Sequence, residues 1–146
     1  MSDDDKMDVE EVLRLLGRAL PLQMRSAVLY TWAAGATTGV EYQAVGNKLE
    51  GFGNEELDDA RRLVEKVVAL GGDPTTSVAT FDPIESGPAG FSRIIELEEE
   101  AAAALHAVIP ASGQEPRSEA LEHLMEHILM RKHEQIDFLQ RVLRGS

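Results

Sequence analysis

The stretch Gly71–Pro88, GGDPTTSVATFDPIESGP, decides the fold that this sequence predicts. It is rich in glycine, proline, serine, threonine and aspartate, residues that end helices and favour turning or extended backbone. Its 18 residues reach about 59 Å when extended. A helix of about 30 residues is only about 45 Å long. The stretch is therefore long enough to return along the whole length of a helix bundle.

Two helical segments precede this stretch and two follow it. Apolar residues recur every three or four positions over residues 8–38, 40–70, 88–110 and 115–144. The links within each pair are short, so each pair is expected to form an antiparallel hairpin. We therefore predict an all-α fold, a four-helix bundle of two antiparallel hairpins joined by a long crossover. A plain up-down bundle with one loose loop is the alternative.

Composition excludes several classes of protein. The 146 residues include no cysteine, which rules out disulfides, thiolate zinc sites and cysteine nucleophiles. The net charge of −12 argues against nucleic-acid binding. No apolar run suits a membrane span and the N-terminus does not resemble a signal peptide, so we expect a cytoplasmic protein. We expect an acidic disordered tail over residues 1–7, one domain over residues 8–144, and a short tail at 145–146.

Polar residues interrupt the apolar stripe of every predicted helix near its middle. They are Gln23 in the first helix, Glu56 and Asp59 in the second, Glu98 in the third, and Lys132 and Gln135 in the fourth. Mid-helix positions share a layer in an antiparallel bundle, so these six side chains are expected to meet. Polar groups in a core are costly unless they are paired or bound to a metal ion. The sequence thus predicts a buried polar layer.

Two runs of sequence carry a resemblance to a known family. They are ELDDARRL at Glu56–Leu63 and HEQIDFL at His133–Leu139. Around them, over residues 8–144, the chain resembles the bacterioferritins and the wider ferritin-like superfamily. The resemblance implies the ferritin-like four-helix bundle. It also implies a dimetal ferroxidase centre, with a Glu from each of the first and third helices and a Glu-x-x-His from each of the other two.

The resemblance implies a degenerate form of that centre when it is carried over residue by residue. Glu56 and Glu98 match the family ligands, and Asp59 replaces a histidine. Gln23, Lys132 and Gln135 stand where the family has a Glu, a Glu and a His. An ammonium group has no acceptor and cannot coordinate a metal ion. We therefore predict that a salt-bridge and amide network replaces the dimetal centre.

Cofactors remain open at this pseudo-site. Residual negative charge on Glu56, Asp59 and Glu98 would be neutralised by a proton or by one weakly held cation, iron or another divalent ion. Leu57 stands where bacterioferritins have their haem-ligating methionine, so no haem is expected.

The histidines offer other candidate ligands. His133 follows Lys132 directly, and a local register shift would turn it inward as a substitute ligand. His123 and His127 have the i, i+4 spacing that can chelate a metal ion on a helix face. They fall beside the apolar stripe, so a solvated or subunit-contact face is the favoured interpretation. His106 is expected at the surface.

The first helix carries a second apolar stripe, formed by Leu22, Leu29 and Trp32 with Val28 nearby. A monomeric bundle would leave part of this stripe exposed, and exposed apolar patches often mark partner surfaces. The resemblance implies a homodimer through the first two helices and allows a larger shell.

Three functions compete on this evidence. The first is an iron-associated ferritin-like protein with a degraded or lost ferroxidase centre. The second is a non-catalytic helical scaffold or partner-binding protein that has lost its metal. The third is a dimetal oxidase with a rearranged ligand set that includes Asp59 and His133. Lys132 weighs against the third, so the residues favour a protein that is not an enzyme.

Overall fold

The structure, a computed structural model, describes residues 6–145 and is all-α over that range. Four long helices form the bundle, which confirms the predicted fold class. The helices are α1 (Val9–Ala36), α2 (Gln43–Ala69), α3 (Pro88–His106), the short α4 (Val108–Ala111) and α5 (Pro116–Arg144), with a single 3₁₀ turn at Val40–Tyr42.

Local sequence signals explain where the helices begin and end. The Asp8 side chain caps α1 by accepting a hydrogen bond from the backbone N–H of Glu11 at 3.1 Å. Helices α3 and α5 each begin with proline, whose missing N–H costs nothing in the first turn. Gly71 ends α2 with φ of 88°, a left-handed conformation that favours glycine.

The crossover runs beside α1 from one end of the bundle to the other. Near its middle, the Ala79 N–H donates to the Pro21 carbonyl at 3.0 Å. Near its end, the Thr38 N–H donates to Ser86 Oγ at 3.0 Å. Contacts at the middle and the far end of α1 mean that residues 70–87 travel the length of the bundle, as predicted.

Two apolar clusters fill the bundle, one toward each end. The first includes Leu16, Leu63 and Met125, and the second includes Tyr30 and Leu139. The predicted polar residues lie between the two clusters along the helices. The core is thus divided by the layer that the interrupted stripes predicted.

Three details differ from the sequence predictions. The second helix begins at Gln43, three residues later than predicted, after the 3₁₀ turn. The third helix ends at His106 instead of continuing to residue 110, because a turn at Ala107 separates it from α4. The sequence predicts a disordered tail that includes Met7, but Met7 is buried, and its N–H donates to Glu115 Oε2 at 2.9 Å. Residues 1–5 and 146 lie outside the described part of the chain.

The prediction that Leu29 contributes to an exposed stripe is wrong. Leu29 is fully buried in the cluster that also contains Ile84 of the crossover. The crossover also contacts α1 through Phe81, whose ring centroid lies 6.3 Å from that of Trp32. None of the helices within residues 6–145 combines the length and hydrophobicity that crossing a bilayer requires.

Candidate functional site

The buried layer centres on Lys132, which enters the bundle from α5 and has no exposed surface. Its ammonium Nζ donates to Glu56 Oε2 at 2.9 Å, to Glu98 Oε2 at 3.1 Å and to Ser26 Oγ at 3.0 Å. An ammonium group has three hydrogens to donate, and each has a partner here. The side chain thus joins α1, α2 and α3 to α5.

Two residues of α1 add further hydrogen bonds to Glu56 and Glu98. Gln23 Nε2 donates to the backbone carbonyl of Glu56 at 2.9 Å and also to Glu56 Oε2. Ser26 Oγ donates to Glu98 Oε1 at 2.6 Å. Sequence reasoning missed Ser26, although its position three residues after Gln23 places it on the same helix face.

Asp59 is held by a cation that sequence reasoning also missed. Arg131 donates from Nε to Asp59 Oδ2 at 2.7 Å and from one terminal nitrogen to Oδ1 at 2.5 Å. The aspartate is 1% exposed and the arginine side chain 24% exposed, so the pair closes the layer at its rim. Both carboxylate oxygens are engaged in this bidentate contact.

Gln135, one turn beyond Lys132, lies toward the same rim. Its Nε2 donates to Glu55 Oε2 at 3.1 Å, and Glu55 itself is exposed. The six residues predicted for the layer are all buried. Gln23, Glu56, Glu98 and Lys132 form one connected group, while Asp59 and Gln135 each bond to a rim residue.

The pKa shifts follow from burial and charge. Burial raises the pKa of Glu56, and the neighbouring Glu98 adds to the rise, although Lys132 and Gln23 oppose it. Burial lowers the pKa of Lys132, but Glu98 and Glu56 outweigh it and leave that pKa above its usual value. Burial also raises the pKa of the Tyr30 hydroxyl well above 10. The layer therefore favours a charged lysine.

Some buried oxygen atoms have no hydrogen-bond partner among the described residues. They are Glu56 Oε1, Gln23 Oε1, Gln135 Oε1 and the Tyr30 hydroxyl oxygen. Such atoms are usually satisfied in proteins, often by an ordered water molecule. The layer thus has spare acceptors for water, although its principal charges are already paired.

The residues present do not fit a dimetal centre. Lys132 Nζ lies within hydrogen-bond distance of both Glu56 and Glu98, and an ammonium repels a metal ion that would bridge them. Arg131 engages both oxygens of Asp59. Over residues 6–145, no group of three or more His, Asp or Glu side chains is arranged to hold a metal ion.

The histidines and Leu57 lie outside the layer. His133 is exposed, so it does not turn inward as a substitute ligand, and its ring centroid lies 6.4 Å from that of His106. His106, His123 and His127 are exposed as expected. Leu57 is 57% exposed on the outer face of α2.

Solved structures share this fold at low sequence identity. A ferritin-like, diiron-carboxylate protein from Bacillus anthracis str. Ames matches with a TM-score of 0.85 and 22% identity, covering 98% of this chain and 99% of the other. The bacterioferritin of Mycobacterium tuberculosis matches with a TM-score of 0.82 and 18% identity, covering 92% of this chain and 85% of the other. The bacterioferritin of Desulfovibrio desulfuricans matches with a TM-score of 0.82 and 15% identity, covering 93% of this chain and 80% of the other.

Sequence comparison identifies the family. No significant match is found among curated protein sequences. Residues 13–145, however, match the family model described as a ferritin-like domain. That match spans most of the chain and includes every residue of the buried layer. The chain therefore belongs to the ferritin-like family.

Proposed function

We propose that this is a bacterioferritin-related, ferritin-like protein in which a salt-bridge network replaces the dimetal centre. On this proposal the protein does not oxidise ferrous iron in the interior of its bundle. One observation carries the proposal, the position of Lys132 Nζ at 2.9 Å from Glu56 and 3.1 Å from Glu98. The two glutamates retained from the family ligand set are already paired with a cation supplied by the protein.

Charge arithmetic supports this function. The layer contains three carboxylates, Glu56, Asp59 and Glu98, and two paired cations, Lys132 and Arg131, giving −3 + 2 = −1. Two divalent ions would change this to −1 + 4 = +3 in a buried site, which is strongly unfavourable. One proton on a carboxylate is sufficient to neutralise the layer, and the raised pKa of Glu56 favours it.

Membership of the ferritin-like family and the charge of the chain support the proposal that the protein associates with iron. A net charge of −12 attracts cations, which suits a subunit that gathers iron without oxidising it. The alternative is a scaffold or partner-binding protein, favoured by exposed apolar residues on α1 and α2. A dimetal oxidase with a rearranged ligand set is disfavoured because His133 is exposed and Asp59 is paired. The absence of haem and a cytoplasmic location stay predictions.

The proposed partner is a second copy of this chain, bound through α1 and α2. Leu22 is half-buried and Trp32 is 40% exposed, while Leu29 is excluded by its burial. Val28 and Leu57 are 48% and 57% exposed and extend the apolar patch onto both helices. Burying such a patch favours association. Light scattering separates a dimer, a larger shell and a monomer, and Trp32→Lys is expected to weaken any dimer.

Iron stoichiometry tests the interior site. The full chain is loaded anaerobically with ferrous iron, desalted, and analysed for metal by mass spectrometry. We expect far less than one retained iron per chain. Retention of about two irons per chain, the number that a dimetal centre holds, would contradict the proposal.

A variant with the family ligand set restored is the positive control. It combines Gln23→Glu, Asp59→His, Lys132→Glu and Gln135→His, and circular dichroism verifies its fold. Iron retained by this variant but not by the natural chain would support replacement of the centre by the network. Equal retention of about two irons by both chains would overturn it, since Lys132 would then not matter.

A further inference from the structure

Two histidines from different helices approach each other on the surface. His106 is the last residue of α3 and His133 lies in the second half of α5. Their ring centroids are 6.4 Å apart and the ring planes are inclined by 55°. Both side chains are exposed, and neither contributes to the buried layer. The fold thus brings together two imidazoles that the proposed function does not use.

This spacing is close to that of two imidazoles that share a metal ion. A metal ion bound to one nitrogen of each ring at about 2.1 Å sets the ring centroids roughly 5 to 6 Å apart, depending on the angle at the metal. The observed 6.4 Å lies just beyond that range. Exposed side chains rotate readily between rotamers, so a small adjustment closes the difference without moving either helix.

We infer that His106 and His133 form a surface site for one divalent ion of the kind that imidazole prefers, Zn²⁺, Ni²⁺ or Cu²⁺. The two helices supply two nitrogen ligands, and water completes the coordination shell. The bound ion ties the C-terminal end of α3 to α5. This site is separate from the interior position, where Lys132 excludes a metal ion.

Zinc titration calorimetry on the full chain tests the inference. His123 and His127 form a second exposed pair with i, i+4 spacing on α5, and such a pair can itself chelate a metal ion. The titration therefore starts from a background variant with His123→Gln and His127→Gln. We expect this background to bind about one Zn²⁺ through the two imidazoles that remain close together.

Adding His106→Ala or His133→Ala to the background removes one of the two ligands. Each change should weaken zinc binding by at least the roughly 10–100-fold that loss of a supporting residue costs at metal sites. Both positions are exposed, so the variants should fold, which circular dichroism verifies. Zinc should also raise the melting temperature of the background but not that of either variant, because only the intact pair links two helices.

Two results would overturn the inference. One is a background variant that binds no Zn²⁺. The other is zinc affinity that is unchanged by His106→Ala, since the ion would then be held by α5 alone.

Discussion

Replacing Lys132 with methionine tests the central feature of the structure. The side chain keeps a similar length but loses its charge, which leaves Glu56 and Glu98 buried together, each with no exposed surface. Removing one partner of a buried ion pair costs about 3–5 kcal/mol. For a chain of this size each kcal/mol lowers the melting temperature by about 2–4 °C. We therefore expect a melting temperature about 6–20 °C lower at pH 7.

The assays are thermal unfolding, for the melting temperature, and urea unfolding, for the free energy of unfolding. Both are followed by circular dichroism at a fixed protein concentration, because association would otherwise change the apparent stability. Lys48→Met is the matched control. Lys48 is exposed and its ammonium lies 5.9 Å from the centre of the Phe138 ring, so its loss should cost less than about 1 kcal/mol. Adding Glu56→Gln and Glu98→Gln to Lys132→Met should recover much of the lost stability, because no uncompensated charge remains buried.

The pH dependence of the Lys132→Met variant has a definite sign. Lys132 lowers the pKa of Glu56, so its removal raises that pKa further above the usual 4.5. A carboxyl whose pKa is raised by folding favours the folded state below 4.5 and opposes it as pH rises through the folded pKa. The loss of stability caused by Lys132→Met should therefore become smaller toward acid pH. A variant within 1 kcal/mol of the natural chain at pH 7, or a triple variant as unstable as the single one, would refute the reasoning.

Three further predictions concern the same layer and the helix contacts around it. Because folding raises the pKa of Lys132, this residue stabilises the fold fully below pH 10.5, and its stabilisation should be lost as pH rises through the folded pKa. Urea unfolding of the natural chain at increasing pH should show this loss of stability, and urea unfolding of Lys132→Met should not. Arg131→Ala leaves the buried Asp59 without its bidentate partner and should cost about 1–3 kcal/mol of unfolding free energy, discounted for the partial exposure of the arginine. Gly53→Ala adds a Cβ 2.9 Å from a threonine hydroxyl of α1 and should cost about 1–3 kcal/mol by thermal or urea unfolding. Gly51→Ala meets nothing within 4 Å, so it should instead stabilise α2 by about 0.5–1 kcal/mol, and a similar loss in both glycine variants would contradict the steric explanation.

Helix periodicity was sufficient to predict the fold and the height of the polar layer. Polar residues that interrupt an apolar stripe at mid-helix stand out because their burial is costly. Gln23, Glu56, Glu98 and Lys132 could be found in this way without coordinates. Their pairing could also be anticipated, since a lone ammonium among carboxylates has few other ways to satisfy its charge.

The same reasoning could not find residues whose contribution depends on reach or on neighbours from distant parts of the chain. Arg131 lies beside the stripe, but its long side chain carries the guanidinium to Asp59. Ser26 shares a helix face with Gln23, but the spacing does not identify its partner, and only the tertiary contact with Glu98 reveals its hydrogen bond. Stripe analysis places Leu29 in a second apolar stripe that is open in part, because it ignores the crossover, whose Ile84 belongs to the same buried cluster as Leu29.

The crossover also divides the ionic layer between two pieces of chain. The hairpin before it, over residues 6–70, contributes Glu56 and Asp59, and the hairpin after it, over residues 88–145, contributes Glu98, Lys132 and Arg131. A cut in residues 71–87 would therefore produce one fragment that contributes −2 to the layer and one that contributes −1 + 2 = +1, so the carboxylates of the first are neutralised only by the second. This chain is accordingly suited to serve as a split reporter, whose halves recognise each other by charge and discriminate against pairing with themselves.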